Sequence, residues 1–185
     1  MAIPQIDASK IFEQGDCFFR TLAILRNAVD PDDVQLGVTI GEPAIVIGAL
    51  TIELFFKCLA CIETGEAPWG HNLKELYDAL SPETRARIQR DWDTDILVHR
   101  KNEWDEIEKG LGRQIARDLP SALAAASKTF ERIRYSYEGN TVDLQYFLHD
   151  LPQLLGQVIL ELKPEWTGLR RAYRPLPASI PQSKD

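Results

Sequence analysis

Positive charge is in short supply in this chain: 21 Lys and Arg face 28 Asp and Glu across 185 residues, a formal net charge of -7. That balance argues against a protein that coats nucleic acid or an anionic membrane by bulk electrostatics, and leaves any such contact to a local basic patch. Cysteine is scarce as well. Cys17, Cys58 and Cys61 make an odd number in a chain too long to need disulfide staples, so a reducing cytoplasm is the expected home. No Walker-type glycine loop and no Gly-x-Ser-x-Gly elbow occurs, and Gly110-x-Gly112 is too short for a dinucleotide fingerprint. No run of alternating or β-branched residues reads as a strand, and no repeat of fixed period is present. The longest apolar stretch, Pro43 to Cys61, is interrupted by Thr51, Glu53 and Lys57, and the N-terminus has no basic region followed by an apolar run and a cleavage site. The expectation is no membrane span and no export signal.

What the chain does have is helical periodicity. Ile11, Phe12, Phe18, Phe19, Leu22 and Leu25 predict a first helix over about 9–29, stopped by Asp30-Pro31-Asp32-Asp33. Gly37 and Gly41 then predict a turn-rich loop reaching Glu42. A second helix is expected to open at Glu42-Pro43 and end at Gly65; it is apolar on nearly every face, as a central helix surrounded by others should be. Leu73, Leu76, Tyr77 and Leu80 predict a short amphipathic helix, and Ser81-Pro82-Glu83 a strong start for the next. That helix holds Ile88, Trp92 and Ile96, and the pattern leaves open whether it runs unbroken to Trp104, Ile107 and Leu111. Two near-heptad patterns follow, Leu119 to Tyr137 and Leu144 to Leu162, read as packed antiparallel helices with a turn at Gly139-Asn140-Thr141 and with Pro152 kinking or dividing the last helix. The domain is expected to span 1–166, with 167–185 an extended or disordered basic tail carrying Arg170, Arg171, Tyr173 and Arg174.

Few side chains stand out chemically. Cys58-x-x-Cys61 sits in an apolar helix without a second cysteine pair, so two small core residues are expected rather than a metal or redox site. Asp91, Asp93 and Asp95 imitate the opening of a calcium loop, but Ile96 stands where Gly is required and Asn102 where the bidentate Glu is required; a solvated helix face is expected. No metal and no cofactor is expected. Glu53 and Lys57 are more informative: four apart on one face of a helix apolar enough to be buried, they must pair with each other or reach polar groups on a neighbouring helix or a ligand. In the run Phe130 to Glu138, FERIRYSYE, interleaved Arg and Tyr could stack on bases and grip phosphate, or Arg134 could pair with carboxylates such as Glu53 or Glu138.

At these residues the chain resembles the HEPN superfamily, the higher-eukaryote and prokaryote nucleotide-binding domains. The resemblance is carried by ALTIELFFKCLACIETGE, the turn APWGHNLKELYDAL and the later RIRYSYE, about Ala44 to Leu80 and Phe130 to Glu138, roughly a quarter of the chain. It implies an all-α, up-and-down bundle of about five to six helices, frequent homodimerisation, and a bacterial setting of toxin, antitoxin and phage-defence components. Many members are metal-independent ribonucleases whose site is an Arg followed, four to six residues on, by a His. That spacing is missing here: the nearest Arg before His99 is Arg90, separated by eight residues, and neither His71 nor His149 has an Arg at the required distance.

The resulting expectation is a HEPN-like binding or interaction module without ribonuclease activity, its binding residues being Glu53, Lys57, His71, Asn72, Arg132, Arg134 and Tyr135. Its partner would be a second copy of the chain, another protein, or a local stretch of RNA or a nucleotide. One alternative is a ribonuclease or nucleotide-processing enzyme with a non-standard site, for which His71 and Arg134 are the catalytic candidates. Another is a purely structural partner subunit.

Overall fold

A computed structural model describes residues 6–28, 34–133 and 146–170, with side chains at 34 and 128–132 outside the description. The chain is all-α: the described residues are 81% helical and include no strand. The helices are α1 (Ala8–Ala28), α2 (Val34–Thr64), α3 (Leu73–Asp78), α4 (Pro82–Asp91), α5 (Leu97–Leu111), α6 (Leu119–Ile133) and α7 (Leu151–Leu162), followed by a 3-10 turn at Pro164–Leu169.

Helix α2 is the axis of the fold, and α1, α3, α6 and α7 all pack on it. Its C-terminal half buries Ile52, Phe55, Phe56, Cys58 and Leu59 completely, side chains that face several different neighbours because the helix is apolar around most of its circumference. Burying each of the two phenylalanines contributes about 2–3 kcal/mol. One glycine lets α1 close in: a Cβ on Gly15 would lie 2.6 Å from the Phe55 ring. Phe12 stacks at 6.0 Å on Phe55 and meets Trp166 at 5.7 Å, so the 3-10 turn is tied to the same core. By length and composition Gln35–Thr64 could cross a membrane, but 61% of its most apolar window is buried inside the fold.

Several sequence expectations require correction. Residues 34–42, expected as a loop, form the first turns of α2, and Pro43 lies inside the helix rather than at its start. A proline's fixed φ is compatible with helix, although it removes one N–H bond and crowds the carbonyl one turn back; none of the described side chains of 35–43 is buried, and Val38 is 69% exposed. At Pro152 the expected last helix is divided rather than kinked: α7 opens there, and the described residues before it, 146–150, are not helical although Leu148 is fully buried. Among the described residues, α6 and α7 each pack on α2 rather than on each other, and the expected turn at Gly139-Asn140-Thr141 lies outside them. The 3-10 turn and Arg170 belong to the folded body, four residues past the expected boundary at 166, whereas 171–185, including Arg171, Tyr173 and Arg174, lie outside the described residues.

The helix from α4 to α5 does not break; it passes through a π-helical turn at Trp92–Ile96, where Leu97 N–H donates to Trp92 O. The phase of the core residues gives the reason. At 3.6 residues per turn, the twelve steps from Trp92 to Trp104 would leave the two indoles about 120° apart; the extra residue absorbed by a π turn reduces this to about 20°. Both are buried, 6.0 Å apart, and Trp92 Nε1 donates to Arg117 O at 2.9 Å.

Candidate functional site

Glu53 sits in the middle of α2 with 3% of its surface exposed. A carboxylate so placed must be matched by donors, and the structure supplies two. Lys57, one turn on, donates from Nζ to Oε1 at 2.8 Å. His71, from the turn after α2, lies with Nδ1 2.9 Å from the same oxygen. Because a carboxylate oxygen accepts, the Nδ1 that faces it carries a proton, and in the neutral ring Nε2 is then an acceptor. The His71 side chain is 70% exposed, so Nε2 is open to solvent while Nδ1 is anchored to a buried charge.

The next residue fixes the turn. Asn72 caps α3, its Oδ1 accepting from Lys74 N at 3.0 Å and Glu75 N at 3.2 Å. Ser127 of α6 stands behind it: Oγ accepts from Leu73 N at 3.0 Å, donates to Leu123 O at 2.9 Å and lies 3.3 Å from Asn72 Oδ1. The cluster therefore joins α2, the Gly70-His71 turn, α3 and α6. Gly70 has φ +95°, a conformation that side chains rarely adopt, which turns the chain sharply enough to bring His71 back over Glu53.

Four of the sequence-predicted residues, Glu53, Lys57, His71 and Asn72, are thus gathered in one place. Arg134 and Tyr135 lie outside the described residues, and Arg132 is within α6 with its side chain outside the description. Electrostatically the described part of the cluster is balanced, since the Lys57 ammonium is matched by Glu53. The cysteine pair takes no part: Cys58 and Cys61 are buried, with Sγ atoms turned to Ala8 O at 3.4 Å and Ile6 O at 3.8 Å. Burial pushes the Cys58 thiol up to about 12, which keeps it protonated and unreactive.

Sequence reasoning missed three features. Ser127 gave no signal within a run of small helix residues. Asp16, on α1, is a second buried carboxylate, 4% exposed, paired with Arg20 Nε at 2.6 Å and with Arg170 Nε at 3.3 Å. Its spacing to Arg20 matches that of Glu53 to Lys57 and was available to find it. The third is a cleft of about 440 Å³ between the α4–π–α5 helix and α7, lined by Arg87, Asp91, Asp95, His99, Arg100 and Asp150 among others. Asp91 and Asp95, read as a solvated face, line this cleft.

No family model, curated protein or solved structure significantly matches the chain.

Proposed function

We propose that this chain is a HEPN-like helical bundle acting as a cytoplasmic binding or interaction module without ribonuclease activity, with a second copy of itself as the expected partner. The observation that carries the reading is the occupation of Glu53 by both Lys57 and His71. Groups that a nuclease would turn toward a phosphate are here engaged with one another, and the family's Arg-to-His spacing is missing from the sequence. Such a cluster positions the turn and the start of α3, which is a framework role. The purified chain is expected to run as a dimer in size-exclusion chromatography with light scattering and to leave fluorescent RNA substrates intact in EDTA. Specific cleavage that disappears in His71→Ala would overturn the reading.

One observation favours the enzyme alternative. A histidine whose Nδ1 is held by a buried carboxylate and whose Nε2 faces solvent is oriented for proton transfer. In that reading Arg134 would supply the positive charge, and cleavage would fall in both His71→Ala and Arg134→Ala with the fold retained.

A further inference from the structure

Trp69 is the most exposed large apolar side chain among the described residues, with 98% of its surface in solvent. The other three tryptophans are placed differently, Trp92 and Trp104 in the core and Trp166 against Phe12. The turn that carries Trp69 is held on both sides. Before it, Thr64 Oγ1 accepts from Glu66 N at 3.2 Å; after it come the His71 bond to Glu53 and the Asn72 cap on α3. An indole displayed on a fixed turn is ordered before it meets a partner, so binding costs little further entropy, and tryptophan is enriched among the side chains that carry contact energy. Glu66, three residues before it, is exposed and among the described residues hydrogen-bonds through its backbone only.

A bare indole edged by a carboxylate suits a cationic polyproline II segment. Proline rings pack flat on the indole, and an arginine beside them meets the acid. The indole N–H donates to a backbone carbonyl, which has no partner inside a polyproline II chain. This chain contains such a segment. Residues 171–185 carry Arg171, the run Arg174-Pro175-Leu176-Pro177 and Pro181, with no acidic residue before Asp185.

Geometry directs this segment to another molecule. A Cβ built on Gly156 of α7 would meet Arg170 Nη2 at 3.2 Å and the Phe55 ring at 3.5 Å, so Arg170 lies on the Phe55 side of α2. His71, two residues after Trp69, lies on the Glu53 side. Residues two apart on a helix point about 160° from each other, which puts Arg170 and Trp69 on opposite sides of α2. A route outside a neighbouring helix, whose axis is about 8–10 Å from that of α2, is about 30 Å or longer. Pro175 and Pro177 reach only about 15 and 22 Å beyond Arg170 in polyproline II form.

We propose that residues Arg174 to Pro177 of one copy dock on Trp69 of a second copy, Pro175 and Pro177 against the indole and Arg174 toward Glu66, and that the exchange is reciprocal. This rests on the reading that the partner is a second copy and names the contact that joins the two.

Sedimentation equilibrium of the full chain tests it. A tryptophan contact of this kind is worth about thirtyfold in Kd, and each dimer holds two. Trp69→Ser and Pro175→Ser/Pro177→Ser should therefore each dimerise about a thousandfold more weakly than the parent. An equimolar mixture of the two variants keeps one intact contact and should form a heterodimer only about thirtyfold weaker. Val98→Ser, which removes another exposed apolar side chain, should dimerise as the parent does. Trp69 is exposed, so its variant keeps the fold, which circular dichroism verifies. A parent dimer indifferent to both variants overturns this inference and leaves the second-copy reading standing, whereas a monomeric parent removes both. A mixture no stronger than its components places the tail on its own chain, and loss of dimer in Trp69→Ser alone gives the indole a different occupant; either overturns the exchange.

Discussion

Glu53→Leu is the most informative single perturbation of the cluster. It removes the carboxylate but keeps roughly its volume, leaving the Lys57 ammonium, whose side chain is 17% exposed, without its anion. Removing one partner of a fully buried pair costs about 3–5 kcal/mol because the other charge stays desolvated. Lys57 retains some access to water, which places the cost at the lower end, about 3 kcal/mol. His71 adds little to this, since its side chain is 70% exposed and its bond to the carboxylate is replaced by water. For a chain of this length about 3 kcal/mol corresponds to a fall in Tm of about 6–12 °C, measurable by calorimetry alongside urea unfolding. The paired variant Glu53→Leu/Lys57→Met should regain most of the loss, because an apolar pair of similar size has no charge to desolvate. A single variant costing less than about 1 kcal/mol, or a double variant no more stable than Glu53→Leu, would refute the assignment of a buried, mutually dependent pair.

The same glycine-to-alanine change should act with opposite sign at two places. Gly15→Ala forces a methyl to within 2.6 Å of Phe55 and should destabilise by about 1–3 kcal/mol, whereas Gly37→Ala, with nothing within 4 Å, should stabilise by about 0.5–1 kcal/mol if residues 34–42 are helical; chemical denaturation measures both. In native protein Cys17 alone should react rapidly with a thiol reagent, Cys58 and Cys61 following only on unfolding, and rapid reaction at all three would contradict their burial. The side-chain hydrogen bond from Arg117, and secondarily the Ile115 backbone N–H, hold the Glu108 carboxyl below its ordinary range. A depressed folded-state pKa gives stability that is present above the unfolded value and lost as pH falls through the folded one, so this latch weakens only in acid. Carboxyl NMR titration should find Glu108 low in the parent and shifted upward in Arg117→Gln; an unchanged midpoint would remove the latch.

Much of the candidate cluster was legible because it is local. Glu53 and Lys57 are one turn apart on an apolar helix, so their need for each other follows from helix geometry and the cost of burying charge. Ser81 as a cap for α4 follows from the same short-range rules, its Oγ accepting from Thr84 N at 3.2 Å. The helical extent of 34–42 was not legible, since Gly37, Gly41 and Pro43 each disfavour helix locally.

The groove beside α7 was hidden for a different reason. Asp91 and Asp95 look like any solvated helix face until a π turn, present to keep Trp92 and Trp104 in phase, and a second helix 50 or more residues away place them opposite Gln157 and Glu161. By itself the sequence determined that the chain is all-α, which helix is central and which charged pair it must bury, because periodicity, capping and desolvation act within a few turns. Which surfaces meet, where His71 and Arg170 land, and where a cleft is left open were decided by tertiary structure, because those depend on how apolar faces far apart in the chain fill space together.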